Sequence, residues 1–190
     1  MTKILSTTAL IQVADTERLS FRLMGQNDAQ ALWEISQEPE VMRFLNGGSA
    51  TSMNDINNIF LPRMAKYTHK EKGWGIWQVL DKQQNEYLGW VLARPMGFLS
   101  DKPAFDNIEL GWQFFKKAWG KGYATEAATA LKDTLIAQGN INYISALTTE
   151  ENIGSVSVMK KIGMSLFRSY RHKDPIGDFD AVHYQMSVNS

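Results

Sequence analysis

The chain changes hydrophobic period several times, and each change marks an element. Arg18 to Leu23 alternates, with Leu19, Phe21 and Leu23 on one side, the period of a half-buried strand. Asn27 then stands as a helix cap with Gln30 three residues on, and Ala29, Leu32, Trp33 and Ile35 supply an apolar stripe that Pro39 ends. Val41–Asn54 has little periodicity and contains Gly47-Gly48, so it reads as a loop. Helical spacing returns over Asn54–Tyr67 in Ile56, Ile59, Phe60 and Met64, and Pro62 inside it predicts two short pieces or a kink. Met42, Phe44 and Phe60 read as core residues, or else as the lining of a pocket.

Gly73–Leu80 and Tyr87–Arg94 are rich in Trp, Val, Ile, Leu and Tyr, and the polar Asp81–Glu86 connection makes them an antiparallel hairpin. After a loop over Pro95–Asp106, Ile108–Phe114 is the third strand of a meander. It runs into a glycine-punctuated loop and then a helix whose apolar face is Ala124, Ala127, Ala128, Leu131 and Leu135, closed by Gly139. Tyr143–Thr148 follows as a strand, which makes the strand–helix–strand unit a right-handed parallel crossover. A short helix over Asn152–Ile162 and a closing antiparallel hairpin, Ser165–Tyr170 with Ala181–Val188 across a polar Arg171–Asp178 loop, complete the chain. The fold class is α/β: a mixed sheet with helices on both faces, in one domain over 1–190, with Met1–Thr16 as a flexible leader.

Composition narrows the function. Charges balance, 20 basic against 20 acidic residues, so bulk electrostatics favour neither nucleic acid nor an acidic membrane as partner. Cysteine is absent, which excludes disulfides, thiolate catalysis and zinc–sulfur sites. His69, His172 and His183 lack metal-ligand spacing, so no metal is expected. No window resembles a signal peptide or a membrane span, and a soluble cytoplasmic protein is expected.

Two features in Asn107–Leu135 carry chemistry. Gly120 and Gly122 stand just before a helix start, where free N–H groups and the helix dipole favour an anion. Glu109 lies inside an apolar strand, costly for a carboxylate without a task or a partner. The loop is not a Walker loop, since Gly120-Lys121 is followed by Gly122 and Phe115 takes the place of the first glycine. Nor is it a dinucleotide fingerprint, because Thr125 occupies the third glycine position.

What remains is Lys117, Gly120 and Gly122, then Tyr123-Ala124-Thr125-Glu126-Ala127, and later Asn152-Ile-Gly-Ser155 and Lys160-Lys161-Ile-Gly-Met164. With the strand I-E-L-G-W, the opening D-T-E-R-L-S-F-R-L and P-E-V-M-R-F-L, this order resembles the GNAT N-acetyltransferases, in particular the RimJ/RimL-like branch, from Thr16 to Met186. The resemblance implies a seven-stranded, mostly antiparallel sheet with a central parallel pair whose ends splay, and acetyl-CoA as donor. Backbone N–H groups between Lys117 and Thr125 would hold the pyrophosphate, taking in Gly120, Lys121, Gly122, Tyr123 and Ala124. Lys121 would add charge or simply be solvated. Trp112 and Phe114 would offer strand backbone to the pantetheine arm, and Asn152 would hydrogen-bond it.

Transfer to an amine requires removal of the ammonium proton, a donor for the thioester oxygen and one for the departing thiolate. Glu109 is the candidate base, directly or through a water, with burial expected to raise its pKa; its other role is a sheet carboxylate paired to an Arg or Lys. For the acid, Met159 stands where many superfamily members have a Tyr, and the branch offers Ser155 instead, a poor acid expected to hydrogen-bond the cofactor sulfur and relay a proton, and otherwise a helix-terminus serine. The expected acceptor is a primary amine, either a protein N-terminal α-amine or a small molecule such as an antibiotic or polyamine. A homodimer is compatible with the sequence, and a non-catalytic acyl-CoA-binding or sensor domain is the alternative.

Overall fold

The computed structural model of the chain describes residues 9–45, 48–173 and 178–188. Its strands are β1 Leu19–Leu23, β2 Gly75–Asp81, β3 Tyr87–Met96, β4 Ala104–Phe114, β5 Tyr143–Thr148, β6 Ser165–His172 and β7 Phe179–Ser187. They form one seven-stranded sheet in the order β1-β2-β3-β4-β5-β7-β6. Every neighbouring pair is antiparallel except β4 and β5, joined in parallel through the Tyr123–Ile136 helix as the crossover predicts.

Strand alternation sends side chains into two cores. On one face Trp77, Val79, Val91, Ile108, Leu110, Ile144 and Ala146 pack with Ala127, Ala128, Leu131, Leu135 and Met159 of the Tyr123–Ile136 and Ile153–Lys161 helices. On the other, Ile76 and Leu92 pack with Leu32, Ile56, Leu61, Met64 and Tyr67 from the N-terminal helices. The expected fold class therefore holds, with helices on both faces.

Local geometry differs from the pattern in several places. A 3-10 turn over Gln26–Asp28 precedes the Ala29–Ile35 helix, and the Asp28 carboxylate accepts from the Gly25 N–H at 2.7 Å, so the Asn27–Gln30 box does not form. Pro39 ends nothing; it opens the short Pro39–Met42 helix, where a missing N–H has no cost. Within the expected 41–54 loop, Ser52 caps the next helical run by accepting from the Asp55 N–H at 3.0 Å. That run passes from Met53–Asp55 through a π turn at Ile56–Phe60 into Leu61–Tyr67 without a break. Pro62 lies in the first turn of the last piece, and the bond it cannot make falls on the widened turn before it.

β3 extends through Pro95 to Met96 and β4 starts at Ala104, so the loop between them is shorter than expected; the register shifts at Pro95/Met96, where a residue without an N–H is tolerated. Of the expected leader, residues 1–8 lie outside the described residues. Beyond them the chain is attached: the Ile11 N–H donates to the Lys70 carbonyl at 3.0 Å and Val13 is buried in the first core. Gly47 and residues 174–177 of the closing loop also lie outside the described residues.

Candidate active site

The central parallel pair is short. β4 and β5 pair only at Asn107–Tyr143, Ile108–Ile144 and Glu109–Ser145, after which β4 continues to Phe114 and β5 to Thr148 unpaired with each other. The sheet forks at Glu109. One edge of β4, from Leu110 onward, faces the fork with its backbone groups and, among the described residues, has no strand partner. Phe114 is buried and Trp112 half-buried in the first core, so these two residues can offer the fork their backbone but not their side chains.

The loop that leaves β4 lies at the wide end of this fork. The Ala118 and Trp119 N–H groups close a tight turn onto Phe115 and Lys116. Among the described residues the N–H groups of Gly120, Lys121, Gly122, Tyr123, Ala124 and Thr125 donate to no protein acceptor, and the first helical bond runs from the Glu126 N–H to the Gly122 carbonyl. Gly120 at φ 72° and Gly122 at φ 80° are in the left-handed region, which turns the chain so that the helix begins with its donors bare. Of the expected run between Lys117 and Thr125, the Ala118 and Trp119 N–H groups are thus engaged within the turn. The Lys117 side chain is directed away, its Nζ 2.7 Å from Glu86 Oε1, and the exposed Lys121 side chain has no partner among the described residues.

A brace that sequence reasoning missed holds this loop. Arg18 Nε donates to Glu126 Oε2 at 2.7 Å, its Nη1 donates to the Lys121 carbonyl at 3.0 Å, and its guanidinium lies 4.5 Å from the Tyr123 ring centroid. The Thr16 hydroxyl donates to the other Glu126 oxygen. Burial pushes the Glu126 carboxyl up, but the hydrogen bonds from Thr16 and Arg18 and the Arg18 charge outweigh it and hold the group below its ordinary range. An acid in the first turn of a helix is a visible signal; its partners more than 100 residues upstream are not.

At the closed end of the fork Glu109 is not an isolated carboxylate. Arg94 Nε donates to Glu109 Oε2 at 2.9 Å and Nη2 to Oε1 at 3.0 Å, the pairing to an Arg that was the other role of this residue. Both also line a cleft of about 140 Å³ with Met96, Phe98, Leu147, His172 and Lys173, so the pair is open to a ligand on one side. A carboxylate has about four acceptor sites, and a two-point Arg clasp uses two of them. Tyr67 lies under Arg94, with the guanidinium 5.5 Å from its ring centroid, and burial pushes its hydroxyl up to about 12.

Ser155 is in the first turn of the Ile153–Lys161 helix, directly after β5. Its N–H donates to Asn152 Oδ1 at 3.2 Å, so Asn152 is the cap of that helix, and its own hydroxyl has no protein partner among the described residues. Met42 and Phe60 belong to or pack on the second core's side of the sheet: Met42 Sδ accepts from Gln113 at 3.4 Å and Phe60 packs on the cluster. Neither lines the cleft. Among the described residues no group of His, Asp and Glu could hold a metal ion, and no helix is long and apolar enough to cross a membrane.

The sheet is thus forked, with a bare helix start at its wide end and a carboxylate at its closed end. The model of the acetyltransferase (GNAT) domain matches residues 18–165, and the chain belongs to that family. It is an acetyl-CoA-dependent N-acetyltransferase. It is 30% identical over 152 residues to the uncharacterized N-acetyltransferase YnaD of Bacillus subtilis, covering 78% of this chain and 80% of that one. A second Bacillus subtilis relative, the uncharacterized protein YkkB, is 28% identical over 174 residues, or 89% of this chain and 95% of that one. Among solved structures, a GNAT-family acetyltransferase from Bacillus anthracis superposes with TM-score 0.72 at 24% identity, covering 96% of this chain and 100% of that one. The aminoglycoside acetyltransferase AAC(6')-Ib, in complex with ribostamycin and coenzyme A, superposes with TM-score 0.72 at 17% identity, covering 90% and 94%.

Proposed function

We propose that the acceptor is a primary amine bound in the cleft beside Glu109, and that Glu109 receives its proton, directly or through a water. The observation that carries this is the fork: pairing of β4 with β5 stops at Glu109, and the bare N–H groups of Gly120–Thr125 stand at the opposite end. The residues fit acetyl-CoA, with those N–H groups for its pyrophosphate and the free β4 edge for its pantetheine arm. Bound there, acetyl-CoA supplies an activated acyl thioester.

Each protein group then has a task. Glu109 keeps acceptor sites beyond those Arg94 uses, enough to take the ammonium proton before attack. A backbone N–H on the free edge of β4 donates to the thioester oxygen as charge develops on it. The Ser155 hydroxyl, without a protein partner among the described residues, hydrogen-bonds the sulfur as the C–S bond breaks, and Asn152 holds that helix start in place. The amine nitrogen gains the acetyl group, and the thiol leaves with a proton. The motif order favours the RimJ/RimL-like branch and hence an α-amino group.

A mass-spectrometric screen of amines and N-terminal peptides with acetyl-CoA, with thiol release followed in parallel, tests this reading. Acetylated amine and free coenzyme A should form in equal amounts. Acetyl-CoA that binds but is never transferred to any amine would sink it.

A further inference from the structure

We propose that the cleft takes an amino-acid-sized primary amine with an apolar body and one carboxylate, and turns polycations away. This rests on the reading above, that the amine attacks beside Glu109. At about 140 Å³ the cleft suits a single small group rather than an extended ligand. Met96, Phe98 and Leu147 line it and offer apolar contact on several sides.

The charges decide the rest. The acidic group among the described lining residues is Glu109, and Arg94 already clasps both its oxygens. Lys173 lines the same cleft and has no carboxylate partner among the described residues. Arg168, on β6, likewise lacks one: its guanidinium rests 5.6 Å from the Phe167 ring centroid and 4.6 Å from that of Tyr170. Between these and the fork, His183 pairs with Leu147 across β5 and β7 and is buried. Burial, and then the Arg168 charge, push its imidazole down to about 4, so near neutral pH it adds no positive charge and screens none.

Among the described lining residues, Arg94 and Lys173 therefore face a single acid, Glu109. An aminoglycoside or polyamine would bring several ammonium groups to one carboxylate that is already shared, with no further acid among the described lining residues for the others. A monoamine with a carboxylate reverses this: its ammonium meets Glu109 and its anion meets Lys173, while its side chain covers the apolar wall. A single lysine matches a monoanion, which is why a carboxylate is the fitting group.

The test compares matched acceptors with acetyl-CoA: L-phenylalanine against phenethylamine, L-leucine against 3-methylbutylamine, with spermidine, kanamycin and a phenylalanine-headed tripeptide alongside. Each amine is also titrated calorimetrically into the protein–coenzyme A complex. The amino acids should exceed their decarboxylated partners at least tenfold in kcat/KM, and Lys173→Glu should erase that preference without changing acetyl-CoA affinity. Equal or better use of the decarboxylated amines, the polycations or the peptide overturns the proposal, as does a preference that survives Lys173→Glu. If acetyl-CoA binds but no amino acid binds or reacts, this inference fails while transfer to another amine stands. If acetyl-CoA does not bind, both readings fail.

Discussion

Arg94 and Glu109 face each other across β3 and β4 in register, and the guanidinium clasps the carboxylate through two hydrogen bonds of 2.9 and 3.0 Å. This clasp sits where β4 and β5 part, so one ion pair marks both the last bond of the parallel pair and the start of the fork. It aims the carboxylate at the cleft and limits its rotation, as the proposed encounter of Glu109 with an amine requires.

Glu109→Gln keeps the shape and removes the charge. It should lower kcat/KM for a verified amine about 10²–10⁴-fold, with acetyl-CoA affinity unchanged by calorimetry. Wild-type turnover of this variant across pH would reduce Glu109 to a structural partner of Arg94.

At the other end of the fork, Gly122 at φ 80° tests the loop. An added Cβ would meet Arg18 Nη2 at 3.5 Å, an ordinary contact, so the expected fold cost is the left-handed backbone, about 1–2 kcal/mol. Gly122→Asp also places a negative charge among the bare N–H groups. Acetyl-CoA affinity should fall more than tenfold while circular dichroism stays native. Unchanged affinity would remove the pyrophosphate from this loop.

The brace on that loop predicts acid sensitivity. The Glu126 carboxyl is held below its ordinary value of 4.5 in the folded chain, so its contribution is present above that value and lost as pH falls through the folded one. Thermal melts from pH 6 to 3 should show stability declining below about pH 4.5. Glu126→Gln should flatten this decline and weaken acetyl-CoA binding; an identical pH slope in the variant would mean that other carboxylates dominate.

His183 acts in a higher window. Its ordinary value of 6.5 is pushed down to about 4, so the unfolded chain takes up the proton first as pH falls. Stability linked to it is present above 6.5 and lost between 6.5 and 4. His183→Phe, which keeps an aromatic ring beside Phe167 and Tyr170, should remove that part of the slope in the same melts. A slope retained between those values would show that the imidazole is not its source.

Much of this was legible because it is local. Period 2 in Arg18–Leu23 and the apolar stripe Ala127, Ala128, Leu131, Leu135 gave the elements, since backbone geometry repeats over a few residues. The helix boundaries around Asn27, Pro39 and Pro62 were harder. There several residues could serve as cap or breaker, and packing against Met24, Leu32 and Ile76 selected among them.

The sequence by itself determined that a glycine loop precedes a helix after an apolar strand bearing Glu109, and that the motif order belongs to an acetyltransferase. These follow from neighbours in the chain, whose φ/ψ limits and hydrophobic period act at short range. Only the tertiary structure decided that Arg94 clasps Glu109, that Arg18 and Thr16 brace Glu126, and that Lys173 and Leu147 share a cleft with the carboxylate. Those pairings join strands whose register is set by burying whole faces of the sheet, and no spacing along the chain records which distant residues that register brings within hydrogen-bond reach.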